Sequence, residues 1–293
     1  MNSSSQASKK SDADRTVQSL SFFFAGPHSW RLHGRKWRTP QKSLEGTIVL
    51  IHGYSEHCGR YGEFVDFLNS KGFDVLGIDL PGHGLSEGRR SNIDDFQDYV
   101  RSIEALLEYA QPNSSAPLLL FGHSMGGLVS IRFLQTSPLA KNIQKLSLSS
   151  PLLGLDRFTN GQLPFVKLFT ILMPNLTLPN SSELNEGDLS HDAELMASRR
   201  ADPLIRSQVT IHWVREFLKA REAAFAQVAD IRTPVGLFQA GEDHVVSRSE
   251  AERFFGLLQC PKEIHIYEGF FHEILNEIGR RQVMEDVFRF VAS

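Results

Sequence analysis

The chain has 293 residues, of which 41% are hydrophobic and 22% are charged, and its formal net charge is −3 at pH 7. This composition is typical of a globular protein with a large core, and it excludes a disordered, collagen-like or coiled-coil chain. Because the net charge is slightly negative, no basic field favours nucleic acid, and we expect no nucleic-acid partner. Two cysteines are too few for a disulfide framework, so we expect reduced thiols.

The amino-terminal segment is polar and charged, which predicts a disordered tail over residues 1–15. It has no apolar region typical of an export signal. The longest apolar-rich stretch, residues 163–173, has 11 residues, whereas a transmembrane helix needs about 20. We therefore expect a cytoplasmic protein whose contact with membranes, if any, is peripheral.

From residue 46 onward, short apolar runs alternate with segments whose apolar residues recur at helical spacing. The runs predict buried strands and the periodic segments predict helices. The predicted strands are residues 47–51, 73–78, 118–121, 143–148, 235–239 and 264–267. The predicted helices are 61–70, 93–109, 125–135, 250–258 and 282–291. Upstream of them, residues 19–24 and 29–38 predict an antiparallel hairpin at an edge of the sheet.

The alternation stops after residue 150 and resumes near residue 231. Residues 151–180 contain four prolines and no clear strand, whereas 192–199 and 203–226 have helical periodicity. A mostly parallel central sheet flanked by helices, interrupted by a helical insertion, fits this pattern best. We predict an α/β core formed by residues 16–150 and 231–293 and an inserted helical cap over 151–230.

The strongest chemical signal is the motif Gly-His-Ser-Met-Gly at residues 122–126, between an apolar strand and a predicted helix. Glycine at 122 and 126 permits a sharp turn that lifts the Ser124 hydroxyl above the sheet. The hydroxyl then lies at the start of a helix, where the helix dipole favours developing negative charge. The motif alone is weak, but in this strand–turn–helix context it predicts a serine nucleophile.

A serine hydroxyl needs a base to accept its proton and an acid to orient that base. His272 lies between the last predicted strand and the last helix, which places it at the carboxyl edge of the sheet beside Ser124. Asp243 follows the strand at 235–239 and gives the chain order Ser, Asp, His. Glu242 and Asp79 remain alternative acids. Other histidines are interpreted as structural, namely His28, His33, His52, His123, His191, His212 and His265.

The negative charge of a tetrahedral intermediate needs hydrogen-bond donors that are already in place. One candidate is the backbone N–H of Met125, the residue after the nucleophile. The other is the N–H of Tyr54, because the chain turns sharply at Gly53 after the strand at 47–51. We expect the amides of both residues to matter more than their side chains.

Four segments resemble the motifs of monoacylglycerol lipases and their lysophospholipase-like relatives. They are His-Gly-Tyr-Ser-Glu-His-Cys-Gly-Arg-Tyr at 52–61, Asp-Leu-Pro-Gly-His-Gly-Leu-Ser-Glu-Gly at 79–88, Gly-His-Ser-Met-Gly-Gly at 122–127 and Tyr-Glu-Gly-Phe-Phe-His at 267–272. Asp-Pro-Leu at 202–204 also matches. Apart from this tripeptide, residues 151–200 depart from the family pattern, which leaves the substrate open.

The resemblance implies an α/β-hydrolase fold and a serine hydrolase that cleaves monoacylglycerols or lysophospholipids without a metal or an organic cofactor. It implies Ser124 as nucleophile, Asp243 and His272 as its triad partners, and Tyr54 and Met125 as oxyanion donors. It also implies a cap over an acyl-chain tunnel.

Residues 163–173 are apolar nearly all round, unlike a surface helix with a single apolar stripe. We interpret this segment as a flap of the cap, with Phe165, Leu168 and Leu172 contacting the acyl chain and the outer face contacting membrane or micelle surfaces. The alternative is that it packs onto the core. The arginine pairs at 89–90 and 199–200 are interpreted as solvated charges.

Three classes of protein remain open. The leading interpretation is a carboxylic ester hydrolase that forms an acyl-enzyme. An S33-type aminopeptidase or a small-molecule esterase would use the same triad on a different bond. The third class is a non-catalytic receptor of the same fold, and the presence of serine, aspartate and histidine together argues against it, because a binding pocket does not need all three. Oligomeric state stays open.

Overall fold

The computed structural model describes residues 18–113, 115–155, 177–178, 186–205 and 208–293. Its strands are β1 (Gln18–Ala25), β2 (Arg31–Arg38), β3 (Gly46–Ile51), β4 (Phe73–Ile78), β5 (Leu118–His123), β6 (Ile143–Ser149), β7 (Thr177–Leu178), β8 (Val209–Thr210), β9 (Val235–Ala240) and β10 (Lys262–Tyr267). Its helices are α1 (Gly62–Ser70), α2 (Gln97–Ala110), α3 (Met125–Thr136), α4 (Ala193–Ala201), α5 (Ile211–Ala226), α6 (Arg248–Leu257) and α7 (Arg280–Ala292).

Within this part of the chain, eight strands form one sheet in the order β1-β2-β4-β3-β5-β6-β9-β10. Six neighbouring strands of this sheet, β4-β3-β5-β6-β9-β10, run parallel. Strand β2 pairs antiparallel with both β4 and β1. The predicted edge hairpin is therefore confirmed. The parallel arrangement places the carboxyl ends of β3, β5, β9 and β10 at one edge of the sheet.

Helices cover both faces of the sheet, which explains why the central strands read as unbroken apolar runs. All six residues of β3, β4 and β9 are buried. On one face the core includes side chains of α2, α3, α5 and α6. On the other face it includes side chains of α1 and α7. Alternate residues of β3 contribute to the two cores, as the two-residue period of a strand requires.

Two helix starts differ from the sequence prediction by more than two residues. Helix α2 begins at Gln97 rather than at residue 93, because the Asp95 carboxylate accepts the Gln97 N–H at 2.9 Å in a turn before the helix. The prediction of helix from residue 203 was wrong at its start, since residues 203–205 and 208–210 are not helical. Helix α5 begins only at Ile211, where the Thr210 hydroxyl oxygen accepts the Trp213 N–H at 3.1 Å and caps the helix.

The insertion also contains a strand pair that the sequence did not predict, since β7 and β8 pair antiparallel. Helix α4 agrees with the predicted helix at 192–199 and is capped by the Asp192 carboxylate. The boundary between core and cap stays a prediction. The tail at 1–15 and the side chains of Phe165, Leu168 and Leu172 lie outside the described residues. No helix in the described ranges is long and apolar enough to cross a membrane.

Candidate active site

The turn between β5 and α3 holds Ser124 in a strained backbone conformation, with φ 51° and ψ −119°. A Cβ on Gly122 would lie 2.4 Å from the Gly126 carbonyl oxygen, and a Cβ on Gly126 would lie 2.2 Å from the Ile51 carbonyl oxygen. Since neither backbone can move without shifting the sheet or the helix, both positions require glycine. Strain at a non-glycine residue of this kind is typical of functional sites.

The three side chains predicted to form a triad lie within hydrogen-bonding distance of one another. The His272 Nε2 atom is 2.9 Å from Ser124 Oγ, and the His272 Nδ1 atom is 2.9 Å from Asp243 Oδ2. All three residues are buried. Because Nδ1 faces a carboxylate, it carries the ring proton, and Nε2 is left to accept the proton of the serine hydroxyl.

The charged forms of Asp243 and His272 stabilise each other. Burial raises the pKa of Asp243, but His272 and the backbone N–H groups of Val245 and Val246, each 2.9 Å from Oδ1, lower it below its ordinary value. Burial lowers the pKa of His272, but the Asp243 carboxylate raises it above its ordinary value. The arrangement therefore favours the imidazolium–carboxylate pair that forms when His272 takes a proton.

The alternative acids lie elsewhere. Glu242 is exposed, and its backbone N–H donates to the Phe270 carbonyl. Asp79 accepts from His33, 2.8 Å away, and is not hydrogen-bonded to His272. Two histidines near the site, His52 and His123, have Nδ1 atoms within 3.1 Å of backbone carbonyls, as expected for structural residues.

The loop after β3 lies directly against the serine. A Cβ on Gly53 would be 3.1 Å from Ser124 Cβ and 2.8 Å from Glu56 Oε1, so a side chain at that position would push the loop, the serine or the Glu56 carboxylate aside. Tyr54 follows Gly53, and Met125 is the first residue of α3. No hydrogen bond within the described part of the chain uses the backbone N–H of either residue. Both amides therefore remain available as donors beside Ser124.

A buried ion-pair network, which we call the Arg60 network, connects this loop to the histidine loop. Arg60 donates to the Glu56 carboxylate at 3.0 Å and to both oxygens of Glu273 at 3.0 and 2.9 Å. Glu56 in turn accepts the Gly53 N–H at 2.5 Å, and Glu273 directly follows His272. The network thus fixes the position of the loop after β3 relative to the loop that carries His272.

Residues 42–279 match the model of the family described as serine aminopeptidase, S33. The chain belongs to this family. It is therefore a serine hydrolase, and the predicted α/β-hydrolase fold is confirmed.

Three relatives of this hydrolase agree with the predicted resemblance. Phospholipase YtpA of Bacillus subtilis is 34% identical over 247 residues, which cover 83% of this chain and 92% of that protein. The monoacylglycerol lipase of Mycolicibacterium smegmatis is 26% identical over 275 residues, covering 92% and 96%. The crystal structure of Paleococcus ferrophilus monoacylglycerol lipase superposes with a TM-score of 0.77 at 28% identity, covering 89% of this chain and 98% of that one.

The Tyr54 side chain of this hydrolase makes contacts that no pattern in the sequence indicates. Its ring lies 4.3 Å from that of Trp213 on α5, measured between centroids. Its hydroxyl is 2.8 Å from the Ser91 carbonyl oxygen and 2.6 Å from that of Gln208. The side chain therefore connects the candidate oxyanion loop to the predicted insertion. The expectation that the Tyr54 amide matters more than its side chain stays a prediction.

The interpretation of Arg199 as a solvated charge was wrong. Its side chain is largely buried, and its Nε atom lies 3.5 Å from Glu273 Oε1, which joins α4 to the Arg60 network. Arg200, Arg89 and Arg90 are exposed, as expected. The residues around Arg199 have the spacing of a solvated helix face, so the sequence does not indicate burial. The ion pair with Glu273, which is distant in sequence, shows that Arg199 faces the interior.

One group of potential metal ligands occurs among the described residues, formed by His33, Cys58 and Asp79, whose ligand atoms lie within 4.8 Å of one another. The Asp79 carboxylate already faces His33 and accepts the backbone N–H groups of Cys58 and Leu85, each at 2.9 Å. Its oxygens are therefore occupied by protein donors. Both cysteines are buried free thiols, as expected.

Proposed function

We propose that this hydrolase cleaves carboxylic esters of the monoacylglycerol or lysophospholipid type through an acyl-enzyme on Ser124. The observation that carries the proposal is the hydrogen-bond chain from Ser124 through His272 to Asp243 at a strained turn. Relatives named phospholipase and monoacylglycerol lipase, which match most of the chain, support the lipid substrate class.

The geometry supports a reaction in two steps. Ser124 Oγ attacks the ester carbonyl while His272 Nε2 takes the hydroxyl proton, and Asp243 stabilises the imidazolium. The Tyr54 and Met125 N–H groups donate to the negatively charged oxygen of the intermediate. The leaving alcohol then takes the proton from His272, and a water molecule activated by the same base hydrolyses the acyl-enzyme.

Amide hydrolysis is the second candidate, because the description of the matching family names an aminopeptidase. A panel of monoacylglycerols, lysophosphatidylcholines and aminoacyl p-nitroanilides distinguishes the two candidates by kcat/KM. We expect the lipid esters to exceed the anilides, and the reverse order would overturn the lipid proposal. A burst of p-nitrophenol from p-nitrophenyl butyrate that is lost in Ser124→Ala would support the acyl-enzyme.

The predicted flap gives an expected dependence on acyl-chain length. Burial of an acyl chain contributes roughly 0.8 kcal/mol per methylene, so kcat/KM should rise by up to about fourfold per methylene until the tunnel is full. Replacing Phe165, Leu168 or Leu172 by Ser should flatten this rise and weaken binding to phosphatidylcholine vesicles, whereas hydrolysis of a short soluble ester should change little.

Lys167→Ser is the matched control on the same segment, because it removes no apolar contact with the acyl chain. It should leave the chain-length dependence unchanged. If the three apolar substitutions instead lowered Tm sharply and reduced short-ester activity in parallel, the segment would pack onto the core, and the flap proposal would be wrong.

Tyr54→Phe tests whether the side chain positions the oxyanion amide. The change removes only the hydroxyl that contacts the Ser91 and Gln208 carbonyls. Loss of one net hydrogen bond of about 1 kcal/mol should lower kcat roughly fivefold with little change in KM. The affinity of an alkyl boronic acid, which forms a tetrahedral adduct on the serine, should fall by the same factor.

Tyr267→Phe is the control, because its hydroxyl also donates in the interior, to Asp286 at 3.0 Å, but on α7. This change should lower the stability of the fold but leave both the boronate affinity and kcat unchanged. Equal boronate affinity in Tyr54→Phe and the unmodified enzyme would show that the tyrosine hydroxyl has no positioning role.

A further inference from the structure

A second Ser–His–Asp chain of hydrogen bonds lies at the β1–β2 edge of the sheet. Ser21 Oγ on β1 is 2.6 Å from His33 Nε2 on β2, and His33 Nδ1 is 2.8 Å from Asp79 Oδ2. Ser21 is exposed, whereas His33 is 5% and Asp79 1% exposed. Because Nδ1 faces the carboxylate, it carries the ring proton, and Nε2 accepts the hydrogen bond from the Ser21 hydroxyl.

The acid of this chain is held as a carboxylate. Burial raises the pKa of Asp79, but the hydrogen bond from His33 and the backbone N–H groups of Leu85 and Cys58 lower it far below its ordinary value. A buried, ionised Asp79 therefore fixes the orientation of the His33 ring. This is the same relation that Asp243 has to His272.

An arginine on β2 lies opposite the same serine. Arg35 lies directly opposite Ser21 in the β1–β2 register, so the two side chains share one face of the sheet, together with His33 two residues away. The Arg35 Nε atom is buried and has no hydrogen-bond partner within the described ranges. No ion pair in those ranges involves Arg35 either, and its guanidinium carbon lies 5.4 Å from the centroid of the Trp37 ring. An anion formed beside Ser21 would attract this guanidinium.

We propose that Ser21 is a second nucleophilic site, which accepts an acyl group from activated carboxylic esters. Ser21 Oγ forms a bond to the carbonyl carbon as its proton moves to His33 Nε2, and Arg35 stabilises the negative charge on the carbonyl oxygen. The bond to the leaving alcohol then breaks, and the alcohol takes the proton from His33. Ser21 is left as an ester, and the reaction does not depend on Ser124.

The test uses the Ser124→Ala full-length chain with p-nitrophenyl acetate, followed by peptide mapping with mass spectrometry. Ser19 is an internal control, because it is exposed on the same face of β1 and has no histidine hydrogen-bonded to it in the described part of the chain. A positioned general base gives roughly a 10²-fold rate increase or more. Ser21 should therefore be acetylated at least about 100-fold faster than Ser19.

His33→Gln should reduce acetylation of Ser21 to the rate of Ser19, and Arg35→Gln should reduce it partially. If either variant fails to fold, the ratio of Ser21 to Ser19 in the Ser124→Ala chain still decides the question. Equal acetylation of the two serines would overturn the proposal and show that the His33 contact is only structural. Because Ser124 is absent throughout, the result is independent of the proposed lipid ester activity.

Discussion

Ser124→Ala, His272→Ala and Asp243→Asn should each lower kcat/KM for the best ester by several orders of magnitude, roughly 10⁴- to 10⁶-fold. The reason is the single hydrogen-bond chain, in which each group works only through the next. Double variants should lose little more than the most damaging single one, because the three side chains act as a unit. Steady-state kinetics of single and double variants provide the measurement.

The matched control is Glu242→Gln, which removes an exposed carboxylate next to Asp243. It should leave kcat/KM nearly unchanged. Near-normal activity in Asp243→Asn would contradict the assignment of the acid and would favour Glu242 or Asp79 instead.

The pH profile gives a second test of the same pair. Since the Asp243 carboxylate holds the pKa of His272 above 6.5 and the base acts in its neutral form, kcat/KM should rise with pH through a midpoint above 6.5. Asp243→Asn removes the charge that raises this pKa. The midpoint of its residual activity should therefore move to lower pH, and an unmoved midpoint would show that another group controls the titration.

The sequence predicted the sheet and the triad because both depend on local patterns. A buried strand is visible as an apolar run, and the serine turn is visible because only glycine fits at 122 and 126. His272 and Asp243 could be predicted since parallel strands bring their carboxyl ends to one edge of the sheet. Helix starts were predicted less accurately, because the helical spacing of apolar residues began at 203, whereas the helix begins after its cap at Thr210.

Contacts between distant segments could not be predicted in the same way. Arg60 is four residues from Glu56 but 213 residues from Glu273, and no local pattern indicates that both carboxylates contact one guanidinium. The same holds for Arg199 on α4 and for the Tyr54 hydroxyl, whose acceptor Gln208 is 154 residues away. Through these contacts the predicted insertion is joined to the loop after β3 and to the loop that carries His272.

The Arg60 network has a consequence for acid stability. Burial raises the pKa of Glu273, but Arg60 lowers it to about 2. Because the folded-state pKa is below the ordinary value of 4.5, the ion pair stabilises the fold fully above that pH. Its contribution is lost as the pH falls from 4.5 toward 2.

Arg60→Met should therefore destabilise the hydrolase by about 3–5 kcal/mol at neutral pH, because it leaves Glu56 buried without its guanidinium partner and Glu273 with Arg199 as its remaining cation. Urea unfolding at neutral pH measures the loss, and the difference from the unmodified chain should shrink in acid. Arg281→Met is the control, since the Arg281 side chain is 66% exposed and its pair with Glu285 should contribute less than about 1 kcal/mol. Equal effects of the two substitutions would mean that the Arg60 network does not stabilise the fold.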